Sequence, residues 1–187
     1  MKKVLFVAAF LTAGIISQAQ ITYGVKAGVN FANWVGDDVD NADMKISFHA
    51  GGLVNIPVNA MFSVQPEVVY SDQGFKTDEG KLNASYINVP VMFQYNNPSG
   101  FYAETGPQIG FLMSAKTKVD GAPDTDVKDL LKSTDFAWGL GFGFKMPSGL
   151  GFGARYNFGL SKLGEEGDGN IKNSVIQAGL FYTFGKK

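Results

Sequence analysis

The chain has 187 residues, 45% apolar, 13% aromatic and 18% charged, with 24 glycines, no cysteine, one histidine and a net charge of −1. A glycine share this high and a charged share this low exclude a solvated charged coil and argue against a helical bundle. The missing cysteines exclude a disulfide framework and a thiolate metal site, and the near-neutral charge provides no global attraction to nucleic acid.

Met1-Lys2-Lys3 opens the chain with positive charge, and the 13 residues from Val4 to Ile16 are uncharged and mostly apolar. Ser17-Gln18-Ala19 then places small residues at −3 and −1, which predicts a secretory signal over 1–19 cleaved after Ala19. A membrane-spanning helix needs about 20 apolar residues, more than this run supplies.

From Gln20 onward the chain alternates with period two, and eight segments follow in order. Ile21 to Phe31 sets Tyr23, Val25, Ala27, Val29 and Phe31 against Gly24, Lys26, Gly28 and Asn30. Ser47 to Ile56 sets Phe48, Val54 and Ile56 against Ser47, His49, Gly51 and Asn55. Met61 to Ser71 alternates Phe62, Val64, Pro66, Val68 and Tyr70 with Ser63, Gln65 and Glu67. Ser85 to Tyr95 carries Ile87, Val89, Val91, Phe93 and Tyr95 on its apolar face. In the second half, Phe101 to Ala115 opposes Ala103, Ile109, Phe111 and Met113 to Tyr102, Glu104, Gly106, Gln108 and Gly110. Phe136 to Met146 opposes a row of large apolar side chains to Gly139, Gly141, Gly143 and Lys145. Leu150 to Leu160 and Asn173 to Phe184 complete the set, the former with Arg155 and Asn157 on its polar face.

Eight such strands build either a soluble barrel with its apolar face inside or a membrane barrel with that face outside. The polar face carries only Lys26, Glu67, Glu104, Lys145 and Arg155 as charges, and much of the rest is glycine. That is a poor water-facing exterior but a good lining for a narrow lumen. The other face is large, aromatic and nearly uninterrupted, as lipid contact requires. Strands of about 11 residues, rising roughly 3.3 Å each and tilted about 40°, span about 28 Å. The reading is therefore an all-β, eight-stranded antiparallel up-and-down transmembrane barrel over residues 20–187. Closure follows because hydrocarbon offers no partner to a free strand edge.

Connection lengths agree. Short links at 57–60, 97–100 and 147–149 alternate with long ones at 32–46, 72–84, 116–135 and 161–172, the pattern of periplasmic turns and external loops. The long segments hold 15 of the 17 acidic residues and nine lysines, confining charge to one end.

Four motifs, Tyr86-Ile87-Asn88-Val89-Pro90, Tyr102-Ala103-Glu104-Thr105-Gly106-Pro107, Ala154-Arg155-Tyr156-Asn157-Phe158-Gly159-Leu160 and Ala178-Gly179-Leu180-Phe181-Tyr182-Thr183-Phe184, stand in order along the chain. The first resembles the tyrosine-aliphatic-x-aliphatic-proline motif of PorT-like outer-membrane β-barrel proteins of Gram-negative bacteria, and the others are similar to that family's later strands. The resemblance covers essentially the whole mature chain. It implies an eight-stranded outer-membrane barrel and carries no catalytic residues.

The candidate site is the lumen charge network of Lys26, His49, Glu67, Glu104, Lys145 and Arg155. Unpaired charge in a narrow low-dielectric interior is costly, so mutual pairing is expected, with Arg155, the sole arginine, as bidentate hub. An eight-stranded barrel is wide enough only for its own side chains, so the network reads as a plug. A proton or ion path is the other use of those charges. His49 faces the lumen within reach of Glu67 or Glu104 and reads as a hydrogen-bonded interior histidine; a catalytic base acting on lipid would need to face the outer wall or rim.

Asp37, Asp38, Asp40 and Asp43 crowd the first loop and Asp120, Asp124, Asp126 and Asp129 the third, without the glycine and terminal glutamate of a calcium-binding hand. Aromatic residues fall near both strand ends and predict two interfacial girdles. Gly139-Leu140-Gly141-Phe142-Gly143 lacks the Lys-Ser/Thr of a phosphate loop and reads as lumen wall. Val127 to Leu131 is compatible with one helical turn. Phe184 is expected, as in membrane barrels generally, to serve as the terminal signal for barrel-assembly machinery, and Lys186 and Lys187 to lie in the periplasm.

No catalytic residue, cofactor or metal is expected. The expected partners are outer-membrane lipids, the barrel-assembly machinery and an extracellular partner reached through the loops, with no nucleic acid. The functional expectation is a non-enzymatic structural or surface-interaction protein. The alternatives are a small porin or secretion-accessory barrel, and a lipid-modifying enzyme centred on His49.

Overall fold

The computed structural model describes residues 20–36, 43–77, 80–119, 123–163 and 171–184. The predicted signal segment 1–19 and Lys186 and Lys187 lie outside the described residues. The barrel strands are β1 (Thr22–Val35), β2 (Asp43–Pro57), β3 (Phe62–Thr77), β4 (Gly80–Asn96), β5 (Phe101–Val119), β7 (Thr134–Lys145), β8 (Leu150–Gly159) and β9 (Lys172–Phe184). A two-residue strand β6 (Thr125–Asp126) and a single 3-10 turn at Lys128–Leu130 lie between β5 and β7, the turn falling inside the stretch flagged from sequence.

Each barrel strand pairs antiparallel with its chain neighbour, β4 pairs with β5, and β1 pairs with β9, so the sheet closes into a cylinder. The first and last strands match residue for residue from Tyr23↔Phe184 to Val35↔Lys172.

The two faces divide as lipid and lumen require. Along β7, Phe136, Leu140 and Phe142 are more than half exposed, while Asp135 and Ala137 are buried. The turn-side girdle is built by register. Tyr23 stands opposite Phe184, Phe62 opposite Tyr95 and Phe101 opposite Phe144. Phe48, Tyr70, Phe111, Phe136 and Trp138 form the exposed ring at the other end. Interior glycines leave room for large neighbours, the Tyr102 ring lying over Gly143 and Gly153 and the Phe181 ring over Gly151. Two of the short connections share the sequence x-Pro-Ser-Gly, Asn97–Gly100 and Met146–Gly149, and each glycine amide donates back to the first residue's carbonyl, at 2.9 and 3.0 Å. Both glycines take positive φ, 99° and 90°, a conformation that costs any side chain strain.

The long connections are shorter than the sequence suggests. Nearly all of the expected loop 72–84 is strand, since β3 runs to Thr77 and β4 begins at Gly80. Odd-numbered residues of β3 stay inside to Phe75, and the phase slips instead in β5, where Leu112 and Ala115 are both buried and the register with β4 shifts between Ser85 and Tyr86. The wall thus continues beyond the second aromatic ring as an extension of β2–β6.

Three prolines cross this wall in a row. The pairs Val54/Pro66 and Asn55/Gln65 are missing from the β2–β3 ladder, Glu67/Pro90 and Val68/Val89 from β3–β4, and Val91/Pro107 and Met92/Gly106 from β4–β5. Register is unchanged on either side of each gap, so no residue is inserted. The missing pairs are those that one absent proline N–H per seam would have made. Pro66 is also the register partner of Val91, next to Pro90, and Pro90 that of Gln108, next to Pro107. The gaps therefore lie side by side across three consecutive seams.

Candidate functional site

The lumen is filled in layers. At the turn end Asn55 Nδ2 lies 3.1 Å from Ser63 Oγ, 3.1 Å from Gln65 Oε1 and 2.8 Å from Gln94 Oε1, and Asn96 Nδ2 donates to Ser63 Oγ at 3.0 Å. These amides also reach the next layer, Gln65 Nε2 donating to Glu67 Oε1 and Gln94 Nε2 to Glu104 Oε2, each at 2.9 Å.

That layer is an ion cluster drawn from four strands. Arg155 on β8 places Nη2 and Nη1 at 2.7 and 3.0 Å from the two oxygens of Glu67 on β3, and Nε at 2.7 Å from Glu104 Oε1 on β5. Lys26 on β1 reaches Glu67 Oε2 at 3.0 Å. All four carboxylate oxygens therefore accept at least one hydrogen bond. The cluster balances two positive and two negative charges, and the side chains of Arg155, Glu67 and Glu104 are 5%, 0% and 4% exposed. Buried charge is stable in such a site only when paired and fully hydrogen-bonded.

His49 is not a member of this cluster. It is 2% exposed, and its Nδ1 lies 2.8 Å from Asn30 Oδ1, which also accepts from Gln177 Nε2 at 3.1 Å. An amide oxygen only accepts, so His49 carries its proton on Nδ1. Asn30 Nδ2, with two protons to donate, lies 2.9 Å from Ser71 Oγ and 3.0 and 2.8 Å from the carbonyls of Phe48 and Asp72. His49 thus anchors a neutral amide network rather than addressing a carboxylate, and its ring points away from lipid. Lys145 stands at the turn end of β7, opposite Gly151 of β8, and lines the mouth of the barrel there. Phe184 is on the lipid-facing wall, its ring 5.1 Å from that of Tyr182.

The cavity bordered by Lys26, His49, Tyr102, Glu104, Arg155 and Gln177 measures about 30 Å³, the room a single water occupies. Toward the outside, Gln73, Asn173, Asp135 and Ser161 continue the polar lining, with Ser161 Oγ donating to Asp135 Oδ1 at 2.7 Å. Above them Trp34, Leu82, Ala84, Tyr86, Leu112, Ala115 and Leu163 form an apolar cluster, joined by Phe75, Val127, Leu131 and Ile171. Val127 and Leu131 thereby bring the stretch 123–133 back over this mouth of the barrel.

Several of these residues were assigned to loops by the sequence reading. Trp34, Lys45, Leu82, Ala84 and Asp135 are buried inside the extension. Lys45 Nζ lies 2.9 Å from Asp72 Oδ2 and donates to the Gln73 carbonyl at 2.9 Å. Continued alternation at 82, 84 and 86 was the available signal. Of the acidic loop residues, Asp124 pairs with Lys118 at 2.8 Å on the surface, while Asp37, Asp38, Asp40 and Asp120 lie outside the described residues. Among the described residues no three His, Asp or Glu side chains are grouped to hold a metal ion.

A family model described as "Outer membrane protein beta-barrel domain" matches residues 16–165. Among solved structures, the chain is similar to Ail, the attachment invasion locus protein of Yersinia pestis, at 17% identity and TM-score 0.54, covering 89% of this chain and 100% of that one. It is similar to Neisserial surface protein A at 14% identity and TM-score 0.54, covering 87% and 97%. Outer membrane protein OprG of Pseudomonas aeruginosa aligns at 10% identity and TM-score 0.50, covering 90% and 98%. These likenesses are of fold. No curated protein matches.

Proposed function

Because the chain belongs to the outer membrane protein β-barrel domain family, we propose that it is a non-enzymatic outer-membrane protein whose lumen is plugged and whose work is done by its extracellular end. Export through a signal peptide cleaved after Ala19 is part of this reading, as is the finer likeness to the PorT-like branch, which rests on the four sequence motifs. Assembly through a Phe184-terminated last strand belongs to it as well.

One observation carries the reading. The ion cluster and the apolar cap obstruct the barrel at two separate levels, and the space beside the cluster is about 30 Å³, too small for a hydrated ion to pass. What distinguishes this barrel is then its outer extension, where β2–β5 carry on beyond the bilayer and present a charged, strand-built surface. The expected partner is extracellular, met through the surfaces of the extension and the connections between its strands.

Planar-bilayer recording tests the plug. The purified barrel should show no steady ohmic conductance at moderate voltage, and a stable open level would favour the small-porin reading instead. The enzymatic alternative has its own check. His49→Ala should leave the lipid composition of expressing cells unchanged, because His49 is sealed inside on Asn30; a shift in acyl or headgroup composition would reinstate it.

A further inference from the structure

The outer wall carries an apolar groove of about 650 Å³ on the turnward half of β3, β4, β5 and β7. Phe62, Phe93, Tyr95 and Phe142 stand along it, and its floor is made by Ala103 and Thr105. The floor presents no unmet polar group. Thr105 Oγ1 accepts from Trp138 Nε1 at 2.8 Å and donates to the Gly139 carbonyl at 3.0 Å. Hydrocarbon is what this face meets, since it lies inside the band bounded by the aromatic girdles.

The groove does not end in hydrocarbon. At the turn end it adjoins a second, polar cavity of about 340 Å³, with Phe62 and Ser63 lining both. Asn59, Asn96, Asn97, Ser99 and Lys145 line that cavity, Lys145 being its one charged side chain. An apolar slot leading into a polar pocket with amides and an ammonium matches an amphiphile with an anionic head and a hydrocarbon tail. Its polarity also gives a direction. The head sits at the turn side, which in this class of barrel faces the periplasm.

We propose that this surface binds one glycerophospholipid of the inner leaflet, an acyl chain lying along Ala103 and Thr105 and the phosphate held at the mouth by Lys145 and the neighbouring amides. The site stands whether or not the lumen conducts, and it uses the membrane placement of the family only.

Native mass spectrometry of the barrel extracted in mild detergent reads the outcome as the number of lipids retained per chain. The unaltered protein should keep one glycerophospholipid. Ala103→Phe fills the groove and should lower retention about tenfold, the loss of roughly one good apolar contact surface. Lys145→Gln leaves the groove intact and should lower retention about threefold, the worth of one partly exposed charge contact. Ala27→Phe, on β1 away from the groove, should leave retention unchanged. Slower or faster migration of the unboiled form in a gel verifies that each variant is folded before its lipid is counted. Equal retention in Ala103→Phe overturns the proposal. So does recovery of lipopolysaccharide in place of phospholipid, or of a second copy of the chain that Ala103→Phe releases.

Discussion

Replacing Arg155 by alanine should cost the folded barrel about 3–5 kcal/mol, because it strands carboxylates that are cut off from water. Glu67 would lose both guanidinium contacts and keep Lys26 and Gln65, while Glu104 would keep only Gln94. The remaining cluster would hold one positive and two negative charges within a few ångströms. Arg155→Lys should recover little, since an ammonium cannot bridge two carboxylates with a planar fork. Arg155→Met combined with Glu104→Gln should recover more than half of the loss, because it removes one charge of each sign and leaves the Lys26–Glu67 pair intact. Urea titrations of the barrel refolded into lipid vesicles, read by the mobility of the unboiled band, measure all three. Equal midpoints for Arg155→Ala and the unaltered chain would mean the cluster is solvated and is not a plug.

The second large effect is expected at the opposite end of the interior. Trp34→Ala should lose about 3–5 kcal/mol, the usual cost of removing a large buried aromatic that leaves a cavity. Its ring lies 4.8 Å from that of Phe75 and packs among Leu82, Tyr86 and Leu112. Yet its buried Nε1 has no hydrogen-bond partner among the described residues. Trp34→Phe keeps most of the contact while deleting that donor, so it should fall within about 1 kcal/mol of the unaltered protein. The same urea titration separates the two cases. A Trp34→Phe loss as large as that of Trp34→Ala would show that the indole nitrogen makes a bond essential to the cap.

Much of the fold was legible because lipid imposes a requirement on every outward residue separately. Phe136, Leu140 and Phe142 announce their face without reference to any neighbour, and so the eight strands and their orientation follow from parity. Where the wall leaves the bilayer that requirement lapses. Lys76 and Lys81 then replace aromatics outside, contrast between the faces fades, and in β5 the alternation slips by one between Leu112 and Ala115. The faded contrast explains why Trp34, Lys45 and Asp135 read as loop residues although they are interior. Parity also placed Lys26, His49, Glu67, Glu104 and Arg155 on the inner face. It could not say which of them meet. That depends on strand stagger and on the amides between them, and Asn30, whose polar atoms decide where His49 settles, carries no charge to draw attention.

The proline row has a mechanical consequence. In a closed cylinder, all seams share any strain, and the share each one bears depends on how many cross-links it has. The junction of β1 with β9 runs through thirteen consecutive pairs without interruption, whereas the three adjoining seams from β2 to β5 each lack a rung at Pro66, Pro90 or Pro107. The seams β3–β4 and β4–β5 still carry 14 and 15 pairs, so the loss is local: only at the height of the prolines is the wall held by fewer rungs than the weld between the two chain ends. A strained wall therefore yields most easily at that height, where three neighbouring seams are thinned together.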